Sequence, residues 1–467
     1  MEVCAQRLIT GCRGKTGVMA NRIDVAGVIE RQSNRGFFIA ILVLVATASF
    51  FEGIDAQIQG YTAPTITKLW HIQKAGFTPV FVFFQVGFMI GAMGFGNLGD
   101  YLGRRIMIIT GVLLFGAFTV AGGFCGDVSS LVATRFVSGI FLGAAVPNAI
   151  ALMVDYSPQN RRAFNVGVMF TLYTLGSAGG GFISAWLVPS FGWQSVYFVC
   201  GLLAMAFSAV LFFWLPESIR HMVIRRKSRP ALIVVMQRLA PDAVINSETE
   251  FFIPRASDRK PWFTELFQQK RAAMTLCLWG AYGVNLMGVI FVASWMPTVF
   301  NDGGLSVSSA VIATSLYQCG GAAGSMLFGW ILDRALGIFR LSLICLVAIP
   351  VIISIGYATG FPALLLLLTF MAGIFIIGTQ NGLNALSGML YPTYLRATGS
   401  GWTSGTGRIG AILGPVLGGM LISMKLPLTS ICLILAIPSL CAAGLVLGIN
   451  HFRPLLDQDQ GELEVVT

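Results

Sequence analysis

Charged side chains are scarce in this chain. Asp, Glu, Lys and Arg together make up 11% of its 467 residues, whereas a soluble globular domain typically carries about a quarter. Histidine occurs three times and the nine cysteines are scattered singly, so the spacings typical of metal sites and of Ser–His or Cys–His pairs are missing. We therefore expect no metal, no cofactor and no enzymatic activity. The sequence also lacks the basic and aromatic pattern of a nucleic-acid groove.

What the chain has instead is long apolar runs. A helix needs roughly 20 apolar residues to cross about 30 Å of hydrocarbon, and about twelve such stretches follow one another. In lipid they must be helices, because an open sheet would leave backbone groups unpaired. We predict an all-α polytopic membrane protein with spans 1 to 12 at 37–60, 78–97, 106–125, 129–151, 164–188, 193–214, 272–297, 307–331, 338–358, 362–387, 397–421 and 428–450.

Basic residues mark one end of these spans. Arg31 and Arg35 precede span 1, and further arginines follow spans 2, 4, 8, 10 and 12, all on one side if the spans alternate. The other side carries little beyond Lys68, Lys74 and Lys425. The positive-inside rule then predicts that both termini are cytoplasmic, with the protein in the cell inner (plasma) membrane.

One long polar stretch divides the spans into two groups of six. It is rich in Arg, Lys and Pro, which is typical of a linker. We predict a cytoplasmic N-terminal segment, a six-helix bundle, a cytoplasmic linker, a second six-helix bundle and a cytoplasmic tail, at 1–36, 37–214, 215–271, 272–450 and 451–467. The first 18 residues lack the apolar core of a signal peptide, and Met19 is an alternative start.

The loops after spans 2 and 8 form a faint repeat. "GNLGDYLGRR" at 96–105 and "GWILDRALGIFR" at 329–340 both carry Gly, Asp, Gly and Arg in that order. A repeat at matching places in two halves is typical of transporters built from two similar bundles around a central site. The first loop contains Gly96, Asp100, Gly103, Arg104 and Arg105. Asp100 is expected to cap the helix that begins near Arg105, and to pair either with Arg104 or with a basic residue near Asp155.

These loop residues, together with "RFVSGIFLGAAVP" (135–147) and "LPES" (215–218), resemble the signatures of the major facilitator superfamily. "EGID", from Glu52 to Asp55, resembles the D/E-G-x-D motif of its aromatic acid:proton symporter family, and 391–415 is similar to that family's entry into span 11. The resemblance covers nearly the whole chain. It implies the major facilitator fold, a proton carrier in span 1 and a gating role for the first repeated loop. Glu52 replaces the Asp more common in the motif, as in hydroxyphenylpropionate-type members.

Four ionisable residues lie deep within predicted spans: Glu52, Asp55, Arg135 and Arg408. A charge at the bilayer centre costs ~2.5–3.5 kcal/mol, so these side chains should face the bundle interior. At ~1.5 Å per residue, Glu52 and Asp55 lie roughly 22 and 27 Å from the inner boundary, and Arg135 roughly 9 Å from the outer one. These depths allow an acid–arginine contact between spans 1 and 4.

Two interpretations of such a contact stay open. A buried arginine–carboxylate pair can simply lock two helices together. Alternatively, the apolar surroundings of the acids favour their neutral, protonated form, which is how membrane proteins carry protons. On the second interpretation Asp55, assisted by Glu52, carries the coupling proton, and Arg135 competes with that proton.

Arg408 differs from Arg135 because no acid of its own half lies at a comparable depth. An unpaired arginine near the midplane indicates a partner that comes and goes, such as an organic carboxylate, with Arg135 as a second candidate ligand. Isolated polar residues in spans more often join helices. The polar residues predicted to complete a substrate site are Gln57, Asn148, Tyr173, Gln318, Gln380 and Asn384. Trp295, at the outer end of span 7, is expected to anchor the membrane interface.

Together these patterns predict a monomeric secondary transporter that imports a small aromatic carboxylate with protons by alternating access. Two alternatives stay open: a proton antiporter that exports organic anions or drugs, and a membrane receptor for aromatic acids. Span 5 has no proline before Pro189. Many exporters of the superfamily carry a Gly-Pro motif there, so this absence favours import.

Overall fold

The computed structural model of this chain describes residues 22–31, 34–95, 98–225, 229–241, 245, 249–252, 263–268, 271–332, 337–358, 360–391 and 395–464. Met19, Gly96 of the first repeated loop, and positions 333–336 of the second lie outside the described residues. What is described is mostly helical, because the apolar runs satisfy their backbone groups internally.

The helices, in chain order, are α1 (Val25–Arg31), α2 (Arg35–Leu69), α3 (Thr78–Phe95), α4 (Gly99–Leu102), α5 (Arg104–Gly122), α6 (Val128–Tyr156), α7 (Arg162–Phe191), α8 (Trp193–Trp214), α9 (Ile219–Arg225), α10 (Arg229–Leu239), α11 (Arg271–Asp302), α12 (Val307–Leu332), α13 (Gly337–Tyr357), α14 (Pro362–Leu390), α15 (Arg396–Ser423) and α16 (Leu428–Glu464). Spans 1 to 6 are α2, α3 and α5–α8, and spans 7 to 12 are α11–α16. Two spans run well past their predicted ends: α2 continues through Pro64, and α16 continues beyond residue 450.

Nearly all of the long helices could cross a membrane. Eleven helices within the described part of the chain are long and apolar enough to cross a membrane. The twelfth long helix, α12, has 26 residues and carries Ser, Thr, Gln and Gly among its apolar ones. It packs between α7 and α14, which explains why fewer apolar side chains suffice there. The twelve-helix prediction is confirmed.

Helix pairing in one half is repeated in the other. In the N-terminal bundle, α2 packs on α7, α3 on α6, and α5 on α8; in the C-terminal bundle, α11 packs on α15, α12 on α14, and α13 on α16. The pairs therefore join corresponding spans of the two halves. Between the bundles, α7 contacts α12, α3 contacts α15, and α2 contacts α11. The faint sequence repeat thus reflects a structural repeat.

The two bundles are joined at one end only, as far as hydrogen bonds among the described residues show. We call the end that carries Arg35, Arg104 and Arg162 the basic face, and the other end the opposite face. The hydrogen bonds between bundles run from Gln57 to the carbonyl of Ala293, from Ser308 to that of Ala185 (3.0 Å), and from Lys74 to Asp302. All three lie toward the opposite face, where α2 is buried from 52 to 64 apart from Ala56.

The start of α6 is fixed at the opposite face by a capped turn. Asp127 is the N-cap residue, and its Oδ1 accepts a hydrogen bond of 2.9 Å from the backbone N–H of Ser130. The hydrogen bonds from Ser130 lower the pKa of Asp127, so the cap stays ionised at neutral pH. This cap sets where α6 begins and hence the depth of Arg135.

The all-α prediction omits one small sheet at the basic face. Strands β1 (Arg22–Asp24) and β2 (Glu250–Phe252) pair in parallel, with Ile23 opposite Phe251. Asn34 donates a 2.8 Å hydrogen bond to the carbonyl of Arg238 at the end of α10. The polar stretch between the bundles is therefore partly folded and attached to the N-terminal bundle.

Gly60 provides a test of closure at the opposite face. A Cβ added there would lie 2.5 Å from the carbonyl oxygen of Ala293 on the other bundle. Overpacking of this kind costs ~1–3 kcal/mol, which changes the ratio of two conformations by about 5- to 150-fold. We expect Gly60→Val to lengthen the distance between spin labels placed at 185 and 308, measured by pulsed electron resonance on a cysteine-depleted background. Gly94→Val is the matched control, because no atom lies within 4 Å of its added Cβ. An unchanged distance distribution for Gly60→Val contradicts the closure described here.

Candidate functional site

A cavity lies between the two bundles, formed by α2, α3 and α7 on one side and by α11 and α15 on the other. Its wall combines aromatic rings, amides and one guanidinium: Ala56, Gln57, Gln59, Gly60, Phe81, Phe84, Gln85, Phe88, Tyr173, Ile290, Ala293, Ser294 and Arg408. Convergent polar groups set among aromatic and aliphatic surfaces are typical of a small-molecule site.

Arg408 is the one cation of this wall. Its guanidinium carbon lies 3.9 Å from the ring centroid of Phe88, across the gap between the bundles. Within the described part of the chain, Arg408 makes no ion pair or hydrogen bond. A desolvated guanidinium is stabilised only partly by an aromatic face, so Arg408 retains donors for an anion that enters the cavity.

Close packing of α3 on α6 positions the aromatic wall. A Cβ on Gly139 would lie 2.4 Å from the carbonyl oxygen of Phe84, and one on Gly143 would lie 2.1 Å from that of Phe88. Only glycine permits this approach. The span-4 signature therefore has a local physical reason: it holds the backbone that carries Phe84 and Phe88 against α6.

Asp55 and Arg135 form a buried pair between α2 and α6. The Nη1 atom of Arg135 donates to Asp55 Oδ1 at 2.9 Å and Nη2 donates to Oδ2 at 3.1 Å, in a two-pronged contact. Nη2 also donates to the backbone carbonyl of Asp55 at 2.7 Å. Thr119 and Ser138 (2.9 Å) donate to the same carboxylate. The contact predicted between spans 1 and 4 is therefore present.

This pair lies behind the cavity wall. Arg135 has no exposed surface, and its guanidinium carbon lies 4.7 Å from the ring centroid of Phe84. The Nε atom of Arg135 donates to Gln59 Oε1 at 3.3 Å, and Nη1 donates to Thr119 at 3.1 Å. With its donors occupied by the protein, Arg135 is placed as a partner of Asp55 rather than as a ligand of the cavity.

Glu52 lies one turn away from this pair and has a different environment. It is 1% exposed, and its Oε1 atom has no hydrogen-bond partner among the described residues. The neighbouring Gly53 lets α7 approach so closely that an added Cβ would lie 1.9 Å from the carbonyl oxygen of Tyr173. The two acids of "EGID" thus differ: one is fully bonded and the other is buried with an oxygen unpaired.

The remaining predicted ligands divide into two groups. Gln57 and Tyr173 line the cavity, although the amide of Gln57 also donates to the carbonyl of Ala293. Four others lie outside the cavity wall: Asn148, Gln318, Gln380 and Asn384.

Helix packing explains most of these four. Asn148 donates to the carbonyl of Ala144 at 2.8 Å and lies against Gly99. Gln380 accepts from Asn285 at 2.9 Å, and Asn384 donates weakly to Asn381 at 3.4 Å. Gln380 thus bonds to another helix, Asn148 and Asn384 bond within their own helices, and Gln318 is buried on α12. The assignment of these four residues to the cargo site stays a prediction.

Some wall residues were missed by the sequence reasoning. Phe81, Phe84 and Phe88 recur at helical spacing on one face of α3, but aromatics are so abundant in this chain that the stripe did not stand out. Gln59 follows Asp55 by four residues and so lies on the same helix face. That spacing was a usable signal.

The repeated loop after α3 is organised by Arg104 and Glu217. Arg104 contacts both Asp155 and Asp100, the latter at 3.2 Å, so it is the partner of both acids. The predicted cap is corrected: Glu217 of "LPES", not Asp100, accepts from the backbone N–H of Arg105 at 3.1 Å. Gly103 has φ +116, and a Cβ there would lie 2.2 Å from the Glu217 carboxylate.

Trp295 is also corrected. Its side chain is fully buried, donates to the carbonyl of Pro415 at 2.9 Å, and packs edge-on against Phe81 with ring centroids 5.0 Å apart. It therefore packs between helices near the opposite face rather than anchoring the membrane interface.

Comparison with known proteins supports the same fold and places the chain among transporters. The Major Facilitator Superfamily model matches residues 45–415 and 278–456. The 4-hydroxybenzoate transporter PcaK of Pseudomonas aeruginosa is 35% identical over 91% of this chain and 95% of its own length. The gallate transporter of Pseudomonas putida is 34% identical over 92% of this chain and 96% of its own length.

Two further matches are more distant. The 3-(3-hydroxy-phenyl)propionate transporter of Escherichia coli is 29% identical over 89% of this chain and 94% of its own length. A solved bacterial homologue of the human lysosomal transporter Spinster, inward-facing and unoccupied, superposes with a TM-score of 0.64 at 15% identity, covering 91% of this chain and 97% of that one, and supports the fold alone. These matches confirm the resemblance drawn from the motifs: this chain belongs to the Major Facilitator Superfamily, and its curated relatives include aromatic acid permeases.

Proposed function

We propose that this protein imports a small aromatic carboxylate together with protons, by alternating access between its two bundles. The observation that carries the proposal is Arg408, an arginine without a protein counter-charge among the described residues, facing a cavity between the bundles and stacked on Phe88. We further propose that it works as a monomer in the bacterial inner membrane, with both termini in the cytoplasm.

The cavity lining suits both parts of an aromatic acid, its carboxylate and its ring. The planar guanidinium of Arg408 presents paired N–H donors that match a carboxylate. Phe81, Phe84 and Ile290 supply apolar surface of the kind that packs against a ring. The named cargoes of the relatives, 4-hydroxybenzoate and gallate, have this chemistry.

Asp55 is the proposed proton carrier. When Asp55 is ionised, two hydroxyl groups and one buried guanidinium donate hydrogen bonds to its carboxylate, and α2 is bonded to α6. When Asp55 gains a proton, the ionic attraction is lost and Arg135 is left with an unbalanced charge in an apolar setting. The pair therefore has two states that differ by one proton. Glu52, whose Oε1 atom has no hydrogen-bond partner among the described residues, is proposed to assist.

The positive-inside rule orients the cycle. The basic face carries Arg35, Arg104 and Arg162 at helix ends and is assigned to the cytoplasm. The bundles are hydrogen-bonded toward the opposite face, so the conformation described is closed to the outside. Alternating access then requires the contacts of Gln57, Gly60 and Ser308 to break when the outer side opens.

Reconstitution tests this function directly. Proteoliposomes at internal pH 7 and external pH 6 are expected to accumulate labelled 4-hydroxybenzoate above the level of protein-free vesicles. Reversing the pH gradient should reverse the direction of net movement, whereas an exporter working by proton antiport would show the opposite dependence. A receptor would bind the acid without moving it.

Arg408→Gln removes the proposed carboxylate ligand. Truncating one partner of a desolvated charge pair costs ~2–5 kcal/mol, so we expect the KM for uptake to rise by about 30-fold or more. Arg408→Lys is the matched control, because it keeps the charge but not the two-pronged donor geometry. Its KM should lie between those of the unmodified protein and Arg408→Gln. A KM for Arg408→Gln equal to that of the unmodified protein would contradict the assignment.

Asp55→Asn removes the proposed proton site and leaves Arg135 buried without its counter-charge. We expect a lower thermal denaturation midpoint, since breaking a buried pair costs ~3–5 kcal/mol. Accumulation driven by a pH gradient should be lost, while exchange of internal for external cargo without a gradient continues. The double variant Asp55→Asn, Arg135→Gln should regain stability but not accumulation. Asp55→Asn that accumulates cargo normally would rule out this carrier.

A further inference from the structure

The cargo arginine and the proton pair are separate in space, yet coupled transport requires each to respond to the other. Arg408 lies in the cavity wall, whereas Asp55 and Arg135 lie behind it. Two wall residues contact Arg135 from the cavity side: Phe84, through its ring face at 4.7 Å, and Gln59, through a hydrogen bond. At least one residue between the cavity and the Asp55–Arg135 pair must therefore transmit the effect of cargo binding to that pair.

The planar side-chain amide of Gln59 lies between Arg135 and the cavity. Arg135 Nε can only donate, so the atom that faces it at 3.3 Å must be the amide oxygen of Gln59. The amide nitrogen of Gln59 then remains as a donor, and among the described residues it has no hydrogen-bond partner. Gln59 itself lines the cavity and is 3% exposed. Its oxygen is committed to the proton pair and its nitrogen is free for cargo.

We propose that Gln59 is the positioning residue that couples the cargo site to the Asp55–Arg135 pair. Oxygen and nitrogen share one plane, so turning the nitrogen toward a bound carboxylate or hydroxyl moves the oxygen relative to Arg135. Cargo binding thereby changes how firmly Arg135 is held, and hence how readily Asp55 accepts a proton. No proton passes through the amide. This inference rests on the proposed function, since it presumes an anionic cargo and a proton at Asp55.

Among the side chains described around the Asp55–Arg135 pair, Gln59 both bonds to Arg135 and lines the cavity. The other ionisable side chains that influence Asp55 or its neighbours are Glu52 on α2, Tyr173 on α7, and Tyr197 and Cys200 on α8. Tyr197 presents its ring to Arg135 at 6.0 Å and does not line the cavity. None of these groups has a described hydrogen bond to Arg135, whereas Gln59 has one and also lines the cavity.

Gln59→Leu tests the proposal by comparing two activities of the protein in proteoliposomes. The first is exchange of labelled for unlabelled 4-hydroxybenzoate without a pH gradient, which needs a folded, cargo-binding carrier but no net proton movement. The second is accumulation under a gradient of one pH unit, corrected with protein-free vesicles. With one proton per cargo, the accumulation ratio of the unmodified protein reaches up to about tenfold, and we expect it to fall toward one in Gln59→Leu. Because Gln59 also contacts cargo, the KM for exchange should rise in this variant, while exchange at saturating cargo is retained.

Gln85→Leu is the matched control. Gln85 is also a glutamine of the cavity wall, but it makes no described hydrogen bond to Arg135. Whatever this change does to cargo affinity, it should leave accumulation and exchange altered together.

Several results would overturn the proposal. One is accumulation by Gln59→Leu equal to that of the unmodified protein. Another is loss of exchange in parallel with accumulation, which would assign Gln59 to cargo binding or folding instead. A third is a loss of accumulation in Gln85→Leu as large as that in Gln59→Leu, with exchange retained, which would show that Gln59 has no special role. If the unmodified protein neither exchanges nor accumulates aromatic acids, the proposed function fails first and this inference fails with it.

Discussion

An ionised side chain inside a membrane needs a partner, and this constraint organises the whole site. Asp55 and Arg135 satisfy it mutually, with Thr119 and Ser138 completing the shell around the carboxylate. Among the described residues, Arg408 contacts an aromatic face but no counter-charge, and Glu52 has one oxygen without a hydrogen-bond partner. The fully paired groups hold the bundle together. The incompletely paired groups are where cargo and protons can act.

Glycine makes this charge arrangement geometrically accessible. The α2–α7 and α3–α6 contacts are so close that backbone carbonyls lie where side chains would otherwise be. These contacts bring Tyr173 beside Glu52, and they hold Phe84 and Phe88 in the wall that separates Arg135 from the cavity. Helices in lipid gain little from hydrophobic burial against one another, so close backbone packing is the available means of fixing such distances.

Much of this architecture could be predicted from the sequence. The twelve helices follow from apolar length, and the contact between Asp55 and Arg135 follows from depth along α2 and α6. Arg408 could be assigned to the cavity because its half offers no acid at its depth. These inferences succeed because lipid penalises each unpaired charge so strongly that few placements remain.

Other features lay beyond the sequence because they depend on rotation of a helix about its own axis. Asn148, Gln380 and Asn384 have the right composition for a cargo site, but they lie outside the wall of the described cavity. Gln380 bonds to Asn285 of another helix, and the other two bond within their own helices. The cap of α5 comes from Glu217, more than a hundred residues away, whereas local chemistry pointed to Asp100. Trp295 was misplaced for a related reason: depth alone does not tell whether a ring faces lipid or a neighbouring helix.

The central claim is that Arg408 holds the cargo carboxylate while the Asp55–Arg135 pair stays out of contact with it. A structure determined with 4-hydroxybenzoate bound tests this most directly. The account predicts both carboxylate oxygens within about 2.7–2.9 Å of the Arg408 guanidinium, with the ring against Phe84 or Phe88. A carboxylate bonded to Arg135, or located away from α15 with Arg408 paired to Glu52, would contradict it.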